Sequence, residues 1–124
     1  MKIKQVCDQT GLTARTVRFY SERGLIHPTC YVQNERNYYE YSPEDVQALR
    51  RVSVLRQAEF SLEEIGRMMC NANEAREIVL DHIRKLTERE ARTAQLLVHM
   101  KKLCDQPALN FETFADALGA GNQT

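Results

Sequence analysis

The sequence predicts a mainly α-helical protein, with a small head of short helices and one β-hairpin, then a long helix and a short C-terminal helix. Two strong helix starts, Ser42-Pro43-Glu44-Asp45 and Ser61-Leu62-Glu63-Glu64, lie in the first half of the chain. From Glu74 to Cys104 there is neither glycine nor proline. Only five glycines and three prolines occur in 124 residues, which argues against a turn-dense all-β fold.

The first two helices are short and joined by a tight turn. Residues 2–10 can form a helix, and Gly11 fits the turn that follows it. Thr13 is a suitable N-cap for a second helix that continues to Glu22. Gly24 is placed to end that helix as the first residue beyond its C-cap.

A β-hairpin is expected after the second helix. Residues 27–32 are typical of a short strand, residues 33–37 form a polar turn, and residues 38–41 form the returning strand. Two helices joined by a turn and followed by a hairpin describe a winged helix-turn-helix, the hairpin being the wing.

Two further helices complete the head. Ser42 caps the third helix, Pro43 occupies its first position, and acidic residues fill its first turn. Ser61 and Glu64 form a capping box for the fourth helix.

The fifth helix is too long for the head to cover. At about 1.5 Å per residue, its 31 residues span about 46 Å. A 4-3 spacing predicts an apolar stripe that packs on a partner helix, formed by Val79, Ile83, Leu86, Leu97 and Met100. Packing of this helix on its own head is the alternative. The predicted segments are a head over residues 1–70, a dimerisation helix over 71–106 and a tail over 107–124. The tail is expected to contain a short helix for which Asn110 is a candidate N-cap.

Composition and charge exclude several classes of protein. The net charge is zero, which argues against indiscriminate coating of nucleic acid or membrane. Residues 1–58 carry a net charge of +3 and residues 59–124 a net charge of −3, a distribution that permits a DNA-binding head. The longest apolar run has three residues, too few for a transmembrane helix. The N-terminus has no signal-peptide pattern, so we expect a cytoplasmic protein with reduced thiols.

The second helix carries the residues expected to bind DNA. Arg15 and Arg18 lie one turn apart on one face, where long cationic side chains can reach guanine edges or phosphates in the major groove. Arg36 lies at the hairpin tip near Tyr38 and Tyr39, where these donors suit phosphate contacts. A solvated helix face and an ordinary hairpin are the alternative.

Four motifs in order along residues 2–70 resemble the MerR family of bacterial transcription regulators. They are Thr16-Val17-Arg18-Phe19-Tyr20, Gly24-Leu25-Ile26-His27-Pro28, Tyr38-Tyr39-Glu40-Tyr41-Ser42 and Phe60-Ser61-Leu62-Glu63-Glu64-Ile65. The fifth helix is similar to the long antiparallel dimerisation helix of that family.

The resemblance implies a homodimer that binds a pseudo-palindromic operator in promoter DNA, with RNA polymerase as a further partner. Family members control transcription by distorting the DNA between promoter elements, a form of indirect readout. A bacterial, nucleoid-associated location follows from this role. The residues expected to contact DNA are Thr13, Arg15, Thr16, Arg18, Tyr20, Arg36, Tyr38, Tyr39 and Arg56.

The chain departs from the family pattern at two positions. Tyr39 replaces a hairpin arginine, a loss for which Arg36 is expected to compensate. Glu59 replaces the glycine that usually precedes Phe60, which places an acid where a second wing approaches phosphate.

Cys70 and Cys104 are the candidate effector residues. In an antiparallel pair of long helices, Cys70 of one chain would approach Cys104 of its partner, with His99 and Asp105 as auxiliary ligands. Such a thiolate site would suit zinc, copper or another thiophilic metal ion. Oxidant or electrophile sensing by an exposed thiol is a second hypothesis, and burial of both cysteines as packing residues is a third. Cys7 is expected in the core and Cys30 in a strand.

Two classes of function remain. A ligand-responsive transcription regulator is favoured by the long helix. The alternative is a DNA-architectural or excisionase-like factor that has a winged head and no effector. An enzyme is disfavoured, because no nucleophile, base and orienting group come together in the sequence.

Overall fold

The computed structural model describes residues 1–121, which form six α-helices and one two-stranded antiparallel hairpin. The helices are α1 (Ile3–Thr10), α2 (Ala14–Glu22), α3 (Pro43–Gln57), α4 (Leu62–Cys70), α5 (Ala75–Cys104) and α6 (Phe111–Gly121). The strands are β1 (Thr29–Gln33) and β2 (Arg36–Glu40). The mainly α-helical winged helix-turn-helix predicted from the sequence is therefore confirmed. No helix in residues 1–121 is long and apolar enough to span a membrane.

The chain divides into two units, Met1–Ile78 and Val79–Thr124. The first unit contains α1 to α4 and the hairpin, and its core is built from aliphatic and aromatic side chains of all these helices. The buried apolar residues of this unit are Val6, Val17, Tyr20, Leu25, Ile26, Tyr41, Val46, Leu49, Val52, Phe60, Ile65 and Ile78.

The turn that joins α1 and α2 is set by local hydrogen bonds. Gly11 adopts a left-handed conformation, φ 76°, and its N–H donates to the Cys7 carbonyl. The Thr13 hydroxyl accepts from the Thr16 N–H at 3.1 Å, which caps α2 as predicted. α2 ends at a Schellman motif, in which the Gly24 N–H donates to Ser21 and the Leu25 N–H to Tyr20.

The hairpin has a shorter turn than the sequence predicted. Gln33 pairs with Arg36, so only Asn34 and Glu35 connect the strands, in place of the predicted five-residue turn. Both residues have positive φ, 53° and 62°, as a type I′ turn requires. This turn follows the right-handed twist of the strands, so pairing continues to the loop although Glu35 is not the glycine usually found there.

Two capping boxes are present in the head: the one predicted at Ser61 and Glu64, and a second one formed by the predicted N-cap Ser42 with Asp45. The Ser42 hydroxyl accepts from the Asp45 N–H and the Asp45 carboxylate from the Ser42 N–H. Ser61 and Glu64 exchange the same two bonds at the start of α4. A short 3-10 turn, Ala72–Glu74, precedes α5, with the Asn71 side chain accepting from the Asn73 N–H.

The second unit contains most of α5, together with α6. The Asn110 side chain caps α6 by accepting from the Thr113 N–H at 2.9 Å, as the sequence predicted. At the far end of α6, the backbone of Gly121 lies against the His99 ring, where an added Cβ atom would clash with the imidazole. α6 therefore folds back along the end of α5. The predicted tail continues to residue 124, and residues 122–124 lie outside the described part.

Candidate DNA interface

The outer face of α2, defined here as Arg15, Arg18, Phe19, Glu22 and Arg23, is exposed. Val17 and Tyr20 are buried on the opposite side. At 100° per residue, Arg15 and Phe19 lie nearly opposite Val17, so they occupy the middle of the outer face. The two arginines predicted to reach DNA, Arg15 and Arg18, are thus both available to a ligand that approaches α2.

The two faces of the wing carry different candidate residues. Tyr38 is half-buried and stacks on Tyr31, with ring centroids 5.6 Å apart. The Lys2 ammonium group lies 4.5 Å from the Tyr31 centroid, and its hydrogen bonds with Tyr31 and Glu40 raise the pKa of Lys2 above its ordinary value. Because side chains alternate along a strand, Arg36 shares the Tyr38 face and Tyr39 points the other way.

A cleft lies between α2 and the wing. It has a volume of about 320 Å³ and is lined by Arg18, Ser21, Glu22, Tyr39 and Tyr41. Burial raises the pKa of the Tyr41 hydroxyl, an effect that the Arg18 charge partly offsets. The hydroxyl therefore remains a proton donor at neutral pH, next to a guanidinium and a second phenol.

Four of the predicted DNA-contacting residues have structural roles in the head. Thr13 and Thr16 are bonded to each other at the start of α2, with their hydroxyls 2.9 Å apart. Tyr20 is only 8% exposed and belongs to the core. The exposed Arg56 donates to the Phe60 carbonyl at 2.7 Å, so it holds the loop after α3. Contact of these residues with DNA stays a prediction.

Sequence reasoning missed Phe19, Ser21, Glu22 and Tyr41. The helical period alone places Phe19 beside Arg15, so the sequence is sufficient to predict that Phe19 lies on the outer face of α2. The wing folds back on α2, and this brings Ser21, Glu22 and Tyr41 into one cleft with Tyr39. No local sequence pattern encodes that arrangement.

Cys70 and Cys104 are both exposed. Neither thiol is therefore buried within the single chain, and their packing against a partner chain stays a prediction. Cys30 lies exposed in β1, and Cys7 is half-buried in α1. Within residues 1–121, no group of three or more His, Cys, Asp or Glu side chains in one chain is arranged to hold a metal ion.

The apolar stripe of α5, defined here as Val79, Ile83, Leu86, Leu97 and Met100, is largely uncovered. Ile83 is 52% exposed and Leu97 is 50% exposed, whereas Val79 and Leu86 are half-buried. The opposite side of the helix carries an ion-pair network in which Asp81 binds Arg84 and Lys85, and Arg84 also binds Glu88. These cations hold the pKa of Asp81 below its ordinary value, Arg84 having the largest effect. α5 therefore has one ionic face and one apolar face.

The head and the cationic outer face of α2 define a winged helix-turn-helix DNA-binding protein. Residues 1–71 match the family model described as MerR HTH family regulatory protein. The chain belongs to the MerR family, and it is a DNA-binding transcription regulator rather than an enzyme.

Curated relatives extend the likeness beyond the head. The chain is 30% identical over 106 residues to the HTH-type transcriptional regulator CueR of Salmonella typhi, covering 86% of this chain and 75% of that protein. It is 26% identical over 110 residues to heavy metal-dependent transcription regulator 2 of Rhizobium meliloti, covering 83% and 74%.

Solved structures share the fold. The transcription regulator PbrR691 from Ralstonia metallidurans CH34, solved in complex with lead(II), superposes with a TM-score of 0.72 at 20% identity, over 89% of this chain and 92% of that one. A cryo-EM structure of an EcmrR–DNA complex superposes with a TM-score of 0.55 at 23% identity, over 82% of this chain and 40% of that one.

Proposed function

We propose that the chain acts as a homodimer that binds a pseudo-palindromic operator in promoter DNA and controls transcription by distorting that DNA. The observation that carries the proposal is the outer face of α2, which exposes Arg15 and Arg18 next to a cleft shared with the wing. With α2 in the major groove, Arg18 reaches a base edge or phosphate. Arg36 and Tyr39, on opposite faces of the wing, contact the sugar-phosphate backbone.

Dimerisation would supply a second head, which binds the second half-site of the operator. The exposed apolar stripe of α5 can be buried only by another helix. A second copy of α5, running antiparallel, would be that helix. Two heads related by a twofold axis then require a pseudo-palindromic operator. Holding two recognition helices at a spacing that relaxed DNA does not match would untwist or bend the site. RNA polymerase at the same promoter, in a bacterial cytoplasm, would respond to that change.

Alanine substitutions in purified protein test the DNA role. An operator is first selected from random duplexes. Arg18→Ala should weaken binding to it by about 1–3 kcal/mol if Arg18 contacts a base edge. Arg36→Ala should weaken binding evenly across sequences and lower the slope of log affinity against log salt by about one. Arg84→Ala, in the ion-pair network of α5, is the matched control and should bind as wild type. Unchanged affinity in both head variants would refute winged-helix docking.

We further propose that a thiophilic metal ion, such as zinc or copper, binds between Cys70 of one chain and Cys104 of its partner. Both thiols are exposed and accessible, and His99 and Asp105 are near in sequence to Cys104 as auxiliary ligands. The heavy metal-dependent regulator of Rhizobium meliloti and lead-bound PbrR691 support a metal over an oxidant. Two equivalent sites per dimer would couple the ends of the long helices to the heads.

Metal titration distinguishes this site from ordinary surface thiols. Zn(II) and Cu(I) are titrated into reduced wild type and into Cys70→Ser and Cys104→Ser variants, each of which should lose binding. Cys30→Ser removes another exposed thiol and should bind as wild type. Because coupling is reciprocal, operator DNA should change metal affinity by the factor by which metal changes operator affinity. Equal binding by all four proteins would refute the site.

A further inference from the structure

Phe19 is an apolar ring in the middle of a charged surface. It is 39% exposed, and its neighbours on the outer face of α2 are Arg15, one turn before, and Glu22, one turn after. The opposite side of the helix packs into the core of the head through Val17 and Tyr20. Packing within the head therefore does not explain an aromatic side chain at this position.

The ring is held in place before any ligand binds. The Arg23 guanidinium lies 4.9 Å from the Phe19 ring centroid, within the range of a cation–π contact. The Tyr20 ring lies 6.1 Å away, tilted by 47°. A ring fixed by two neighbours loses less conformational entropy on binding than a free one.

The major groove offers one apolar feature that such a ring can recognise. Base edges there present hydrogen-bond donors and acceptors, except for the C5-methyl group of thymine. A phenyl ring makes no hydrogen bond to a base, but it gains free energy by covering a methyl group. Arg15, on the same line of the helix, is placed to contact a neighbouring base or phosphate.

We propose that Phe19 is a specificity residue that selects thymine in each operator half-site through contact with its C5-methyl group. Arg23 is a positioning residue that holds the ring in the orientation needed. The inference rests on the proposed docking of α2 in the major groove and adds a base preference to it.

Removal of single methyl groups from DNA tests the contact. In the selected operator, each thymine is replaced in turn by deoxyuridine, which lacks only the C5-methyl group. At one position per half-site, wild-type affinity should fall by about fourfold per methyl, the scale of burying one carbon. With Phe19→Ala the same replacement should change nothing, and Phe19→Leu should keep part of the discrimination.

Two controls separate contact from damage to the head. Circular dichroism melting should show that Phe19→Ala is folded, as the exposure of the ring leads us to expect. Arg23→Lys, which keeps the charge but loses the planar guanidinium, should reduce the methyl effect.

The outcomes are distinct. An operator whose affinity does not depend on any thymine methyl, or depends on it equally with Phe19→Ala, overturns the inference and leaves the DNA-binding function intact. Failure to select any duplex overturns both. A methyl effect that disappears only when Phe19 is removed establishes it.

Discussion

Two helices of the head end in the same Schellman motif, but with different residues at the left-handed position. After α2 that position is Gly24, φ 77°, and after α3 it is Glu59, φ 70°. The Glu59 N–H donates to the Arg56 carbonyl and the Phe60 N–H to the Leu55 carbonyl, at 3.0 Å each. A left-handed conformation costs an L-residue with a side chain about 1–2 kcal/mol. The second motif therefore stores strain that the first avoids.

Glu59→Gly should stabilise the protein by about 0.5–1 kcal/mol. Relief of the left-handed strain exceeds the added chain entropy of glycine in the unfolded state, about 0.4–1 kcal/mol. The matched variant Gly24→Ala should have the opposite sign, because it introduces the same strain at φ 77°. Urea denaturation measures both differences.

Glu59→Asn separates backbone strain from charge. Asparagine tolerates the left-handed region better than glutamate and is neutral. If the acid also repels a phosphate, Glu59→Asn and Glu59→Gly should both bind DNA more tightly at low salt and lose that advantage at high salt. Lower stability of Glu59→Gly than of wild type would contradict the strain argument.

Single residues on the wing show what sequence reasoning could not resolve. The sequence places Arg36 and Tyr39 together as neighbouring donors, but the pleat of β2 puts them on opposite faces of the wing. The family motif predicts that Tyr20 contacts DNA, yet its ring is buried. In both cases the missing information was orientation, which depends on register and on the core rather than on residue type.

The Asp45 carboxylate links helix α3 to the segment before the wing by hydrogen bonding. Asp45 is 8% exposed, and its two oxygens accept from the His27 N–H at 3.2 Å and the Ser42 N–H at 3.0 Å. Two backbone donors on either side of the hairpin therefore depend on a single side chain. The wing is positioned through this residue as well as through its own strand pairing.

Asp45→Ala should destabilise the head by about 2–4 kcal/mol, because two partly buried N–H groups lose their acceptor. Ser61→Ala, which removes a single cap of α4, should cost about 1 kcal/mol and is the matched comparison. Chemical denaturation of both variants tests the difference. Equal losses would mean that the His27 bond contributes nothing to stability.

At the scale of elements, the sequence predicted the helices better than the hairpin. Helix starts are local: Thr13, Ser42, Ser61 and Asn110 each cap the helix expected of them. The turn of the hairpin was predicted too long, because Asn34 and Glu35 lack the glycine that marks a type I′ turn. Its length is decided by the pairing of the strands, a non-local property.

For the whole molecule, the apolar stripe of α5 predicts a dimer. Sedimentation equilibrium at micromolar concentration should give twice the 14.4 kDa mass of the chain. Leu97→Lys should yield a monomer, because it places an ammonium group among apolar side chains. Val98→Lys is the matched control: Val98 is similarly exposed but lies about 100° around the helix, so this variant should remain dimeric. A wild-type monomer would refute the proposed assembly.

In the proposed dimer, operator occupancy depends on the cellular concentration of the chain, because two copies must associate to cover the apolar stripe of α5. A chain that needs a second copy to cover α5 and to span two half-sites exists as monomer when dilute. Operator occupancy then rises with the square of monomer concentration, so a twofold change in expression changes occupancy about fourfold in that regime. A promoter under such control switches over a narrower range of expression than one read by a monomer.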